Sequence, residues 1–114
     1  MAKVKLIDTV EAIQSNSYKT RFVAEYWQLK VRYEKLKSFN NRIEAAMSSP
    51  GKVDEPVHDC PAEMLRHQEH VMAEYLRVLE VRAVIEGICL DENSLKVCSE
   101  KTLSVGVPDS SSIE

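Results

Sequence analysis

Residues 25–46 read "EYWQLKVRYEKLKSFNNRIEAA", and the way this helical stretch is covered decides the fold. Around it, Phe22, Tyr26, Leu29, Tyr33, Leu36 and Ile43 recur at spacings of four, three, four, three and seven, which places them on one face of a helix. Val23, Trp27 and Val31 form a second stripe beside the first. A helix with two apolar stripes needs cover on two sides, and a short chain has few elements to supply it.

Working outward, the spacing predicts a first helix over residues 17–47, capped by Asn16 or Ser17. Upstream, residues 1–16 are weakly patterned. Asp8 or Thr9 could cap a short helix through Ala12 to Gln14, and "KVKLI" suits a strand equally well. Downstream, "SSPGKVDEPVHD" is a loop, because Pro50-Gly51 stops a helix and Pro56 disfavours one before it. A second helix is predicted to start at "CPAEML", with Pro61 at its first position and Glu63 in its positive first turn. Gly87 lies near its end, and Ile88 to Leu90 could extend it by one turn. Beyond that, periodicity is lost; the last ten residues read as disordered and the stretch before them as undecided.

The second helix repeats the opening problem. Met64, Val71, Val78 and Ile85 recur every seven residues, with Leu65, Met72 and Leu79 in a parallel row. Gln68, Tyr75 and Arg82 make a third row, while Arg66, Glu69, Ala73, Arg77 and Glu80 read as the solvent side. Two rows suffice to pack one helix on another. The expectation is therefore an all-α chain: an N-terminal extension (1–16), an antiparallel two-helix hairpin (17–90) and a mostly flexible tail (91–114). The surplus face of each helix is expected to be covered by another protomer, giving a helical oligomer, since so small a unit buries little core by itself.

Composition narrows the function classes. With 114 residues, 44% hydrophobic and 29% charged, the chain has the balance of one soluble helical domain. No apolar run approaches the roughly 20 residues of a membrane span, and the start lacks the apolar segment of a secretion signal. Three cysteines give no disulfide framework, so a reduced cytoplasm is the expected setting. The net charge of −3 argues against duplex DNA, but residues 18–47 carry seven Lys/Arg and three Glu whereas residues 61–87 carry three Arg and five Glu. Either a basic helix lies against an acidic one, or part of the basic face meets an anionic ligand.

The residues that could carry chemistry are few. His58, Cys60, His67 and His70 match no zinc spacing. Cys60 at a helix start lacks a companion base or oxyanion site, and three glycines make no phosphate loop. No catalytic residue, metal or cofactor is expected, and the chain reads as a non-enzyme. Tyr18, Tyr26, Trp27 and Tyr33 alternate with Lys19, Arg21, Arg32 and Lys35, an interleaving that suits either a nucleotide or a helix interface. Arg82, among apolar neighbours, either pairs internally or presents its guanidinium to an anion. The candidate ligand-binding residues are Arg21, Arg82 and Tyr26, with Tyr18 in place of Tyr26 if the latter is core.

Two resemblances bear on these residues. "RFVAEYWQLKVRYEKLKSF" (Arg21, Glu25, Tyr26, Leu29, Arg32, Lys35, Leu36, Phe39) and "CPAEMLRHQEHVMAEYLRVLEVRAVIEGI" (Leu65, Gln68, Met72, Tyr75, Leu76, Leu79, Arg82) resemble a family of small proteins of tailed phages, including crAss-like phages. The hairpin reading is similar in architecture to the sponges by which phages disarm CBASS and Thoeris defence. That likeness implies an oligomer that traps a cyclic oligonucleotide or a cyclic ADP-ribose type signal between subunits without cleaving it, in the host cytoplasm. No ligand motif of the sponges is matched residue by residue. The alternatives are a module docking on a host defence protein and a structural phage component.

Overall fold

The computed structural model describes residues 4–95, and every regular element among them is helical. A 3₁₀ turn (Leu6–Thr9) runs into a short helix α1 (Val10–Ile13), followed by the long helices α2 (Tyr18–Ser48) and α3 (Ala62–Glu86) and a 3₁₀ turn (Glu92–Leu95). The strand alternative for "KVKLI" is thus not realised. Lys5 and Asp8 close the first turn instead, the Lys5 N–H donating to Asp8 Oδ2 at 2.8 Å.

Helix α2 starts where its cap allows: Ser17 is extended, and its hydroxyl accepts the Thr20 N–H at 3.3 Å. Pro61 is the residue before α3 rather than its first residue; with ψ 143° it stays extended, and its carbonyl accepts from Met64 and Leu65. Helix α3 does not continue to Leu90. Gly87 takes a left-handed φ of 69°, the Ile88 N–H returns to the Ala83 carbonyl at 2.8 Å, and the chain turns away.

The long helices run antiparallel. Polar contacts join Tyr18 to Glu86, Tyr26 to Glu80 and Asn40 to Leu65, so positions rise along α2 as they fall along α3. The seam on α3 follows Leu65, Glu69, Met72, Leu76, Leu79, Ala83 and Glu86, at alternating spacings of four and three. Glu69 and Ala73, expected on the solvent side, are instead half-buried, whereas Arg66, Arg77 and Glu80 are exposed as expected, Glu80 while accepting the Tyr26 hydroxyl. A carboxylate facing the Asn40 amide is a satisfied seam residue, which lets Glu69 turn inward. Asn40 fixes register here: its amide donates to the Leu65 carbonyl and to Glu69 at 3.1 and 2.9 Å.

Two of the three residues in the second stripe of α2, Val23 and Trp27, are covered by segments of the same chain. Val23 and Ala24 lie in one core cluster with Ala12, Ile88 and Leu95, against which Val4, Ile13, Trp27 and Leu90 pack. Polar ties fasten both flanking segments: Gln28 donates to the buried Thr9 hydroxyl at 2.9 Å, and Trp27 Nε1 donates to the Leu90 carbonyl at 2.8 Å. Residues 91–95, expected to be tail, therefore end in a core residue, Leu95. The expectation for the last ten residues falls outside the described residues.

Among the described residues nothing comparable covers α3. Met64, Val71, Val78 and Ile85 all remain exposed. The result is a rod of 59 × 25 × 22 Å with a radius of gyration of 17.8 Å, against about 13 Å for a compact chain of this length. No helix among the described residues is long and apolar enough to cross a membrane.

Candidate functional site

The start of α2 and the last turns of α3 meet at one end of the rod. There Tyr18 is placed by the Ser17 cap, and Arg82 and Glu86 share a face of α3 one turn apart. Arg82 donates to the Tyr18 hydroxyl at 2.6 Å and, through Nε, to Glu86 at 3.1 Å; Tyr18 donates to the other Glu86 oxygen at 2.8 Å. The guanidinium also lies 4.9 Å from the centre of the Phe22 ring, which packs edge-on to Tyr18. The Tyr18 hydrogen bond, together with Arg82, holds the Glu86 carboxyl below its ordinary range. The Arg82 side chain keeps 42% of its surface exposed in this setting.

The other candidates are placed differently. Arg21 is half-buried and donates to the Ser15 carbonyl at 2.8 Å, clamping the link between α1 and α2. Tyr26 is only 6% exposed; burial and the hydrogen bond to Glu80 push its hydroxyl up to about 12. Its ring packs edge-on to Trp27, leaving no open face on which a base could stack. The structure thus brings Tyr18, the substitute, together with Arg82 and keeps Tyr26 in the core.

Two partners were missed from sequence. Glu86 stands four residues after Arg82, a spacing that could have flagged the pair. Phe22 could not be found that way, because its place under Arg82 depends on how the helices pair. Glu25 is a similar case: it accepts the Tyr75 hydroxyl across the helices, which raises the Tyr75 pKa.

The choice between a basic helix facing an acidic one and an outward basic face can be read directly. Among the described residues, no ion pair joins a Lys or Arg of α2 to a Glu of α3. Glu69, Glu80 and Glu86 take hydrogen bonds from Asn40, Tyr26 and Tyr18. Lys19, Arg32, Lys35, Lys37 and Arg42 are exposed. Both ring nitrogens of His58 are engaged, by the Cys60 carbonyl and Glu55, which raises its pKa, and His70 faces Glu74. Among the described residues, no three His, Cys, Asp or Glu side chains are grouped to hold a metal ion.

Comparison with known proteins gives one match. The family model described as Sequestin matches residues 16–85, more than half of the chain and the span from the α2 cap to the last turn of α3. No curated protein and no solved structure matches.

Proposed function

We propose a function from the premise that this chain belongs to the Sequestin family: it binds a small anionic signalling molecule and holds it without cleaving it. The family name denotes sequestration, which is compatible with a nucleotide sponge. One observation carries the ligand class. A guanidinium seated on an aromatic ring and touching a tyrosine lies at the start of α2, whose lysines and arginines form no ion pairs with the glutamates of α3 among the described residues. Phosphates suit such cations, and bases stack on the faces of tyrosine rings. Because Glu86 already shares Arg82, an incoming phosphate must outcompete a carboxylate, which favours a ligand of more than one negative charge.

In this reading the hairpin works as an assembly of more than one copy in a host cytoplasm, and the protein is phage-encoded, directed against a cyclic oligonucleotide or cyclic ADP-ribose type signal. Arg82 and Tyr18 form the ligand contact, with Arg21 holding the link beside it. Calorimetry against cyclic di- and trinucleotides and cyclic ADP-ribose isomers tests this. Arg82→Ala should weaken binding by about 1.5–3 kcal/mol, the range for losing a charged hydrogen-bond partner, and the ligand should be recovered intact after heating. Heat from no member of the panel would favour the second reading, a module docking on a defence protein.

A further inference from the structure

The exposed side of α3 carries its own heptad. Met64, Gln68, Val71, Tyr75, Val78, Arg82 and Ile85 follow one another at spacings of four and three, rotated one position from the row buried against α2. Unlike a scattered set of surface apolars, this is a continuous seam of about six turns, and its Met64, Val71, Val78 and Ile85 side chains are exposed among the described residues, while Tyr75 and Arg82 also reach α2 through Glu25 and Tyr18. Its order is symmetric in kind about Tyr75. Read outward in either direction it gives a valine, then a polar hydrogen-bonding residue, then a large aliphatic side chain: Val71, Gln68, Met64 one way and Val78, Arg82, Ile85 the other.

We propose that this seam is the interface with a second copy of the chain, packed antiparallel about a two-fold axis at Tyr75. A two-fold contact requires a surface complementary to itself, and this one is. Antiparallel pairing sets Val71 against Val78 and Met64 against Ile85 of the other copy, and brings the Gln68 amide oxygen opposite the Arg82 guanidinium. Parallel pairing would instead set Arg82 on Arg82. Five side chains along the seam, Met64, Val71, Tyr75, Val78 and Ile85, are 43–76% exposed in the single chain, apolar surface that a second copy would cover. Tyr75 comes partly ordered, its hydroxyl held by Glu25, so less freedom is lost on docking.

The geometry has a consequence for the candidate site. Gln68 of the second copy lies against the Arg82 cluster, so each ligand site is completed by the other chain. The dimer then carries two sites about 21 Å apart along the axis of α3, from 14 residues at 1.5 Å each. The role of the Arg82 cluster rests on the ligand reading above; the interface itself does not.

The test is cross-linking of the full chain with Cys60, Cys89 and Cys98 replaced by serine. Tyr75→Cys alone should give a covalent dimer with oxidant or a short bis-maleimide. Val71→Cys and Val78→Cys should each stay monomeric on gels alone and cross-link when the two variants are mixed. Val84→Cys, at 82% exposure but off the seam, is the control and should not react between chains. In the natural sequence background, Val71→Asp with Val78→Asp should halve the native mass and keep the helical signal, because both sites are exposed in the single chain. A monomeric mass for the unmodified chain, cross-linking of Val71→Cys with itself, or an undiminished mass for the double aspartate variant would each overturn the proposal. A monomer that still binds nucleotide would remove the interface alone; a dimer that binds none would remove the ligand reading alone.

Discussion

Helices α2 and α3 begin with the same difficulty, an apolar surface too wide for one neighbour, and resolve it differently. For α2 the answer is local. Residues 4–14 precede it by a three-residue link and fold back on Val23 and Ala24, while the left-handed Gly87 directs Ile88 to Leu95 onto Trp27. For α3 no segment among the described residues does this, and its second row stays in solvent. The width of an apolar face shows that cover is needed. Which chain supplies it depends on where the flanking segments are aimed.

The strongest way to break this comparison is to place one charge on either side of α3. Leu79 is 1% exposed in the seam with α2, so Leu79→Asp should cost more than about 4 kcal/mol and unfold the chain, because burying an unpaired carboxylate is prohibitive. Val78→Asp, one residue along and 53% exposed, should keep its helical signal by circular dichroism. If the neighbouring variants lost equal helicity, the two rows could not differ as described.

The covered face of α2 can be probed at Trp27. Trp27→Ala removes both packing against residues 88–95 and the bond to the Leu90 carbonyl, and should cost about 2–3 kcal/mol in urea unfolding. An unchanged midpoint would mean that this cover contributes nothing. A smaller effect tests how the cover is aimed. Gly87→Ala should cost about 1–2 kcal/mol, since φ is 69° there and a Cβ strains a left-handed residue although it would clash with no neighbour.

The smallest effects are in titration. The Glu86 pKa is lowered by Tyr18 and Arg82, so its contribution is present above the ordinary carboxylate pKa of 4.5 and lost as pH falls through the depressed value. Stability should therefore decline on acidification below that point, with a shallower slope in Glu86→Gln. At the alkaline end, Tyr26 has its neutral form favoured: its contribution holds below pH 10 and is lost as pH rises through about 12. Tyr26→Phe should remove the latest step from the tyrosinate absorbance titration.

Much of this architecture was legible beforehand. Both long helices, the Ser17 cap and the Pro50-Gly51 stop follow from local rules that involve only neighbouring residues. The candidate site was legible in residue types and not in arrangement. Arg82 stood out as a cation among apolar neighbours, but Tyr18 and Phe22 lie more than 50 residues away from it in sequence and meet it only once the register is set. Tyr26 had the right chemistry to stack on a base, and its position on the seam made it a core residue.

What the sequence by itself determined is where helix begins and ends and which residues need burial, because capping, proline, glycine and apolar period act over a few positions. Tertiary structure decided the partners. Little more than a quarter-turn of rotation, one residue, separates Leu79 in the core from Val78 outside it, and polarity could not choose between rows of equal spacing. That choice goes with Asn40, Tyr26 and Tyr18, whose hydrogen bonds to the α3 backbone and glutamates form in one rotation of the helix, leaving the neighbouring heptad outward.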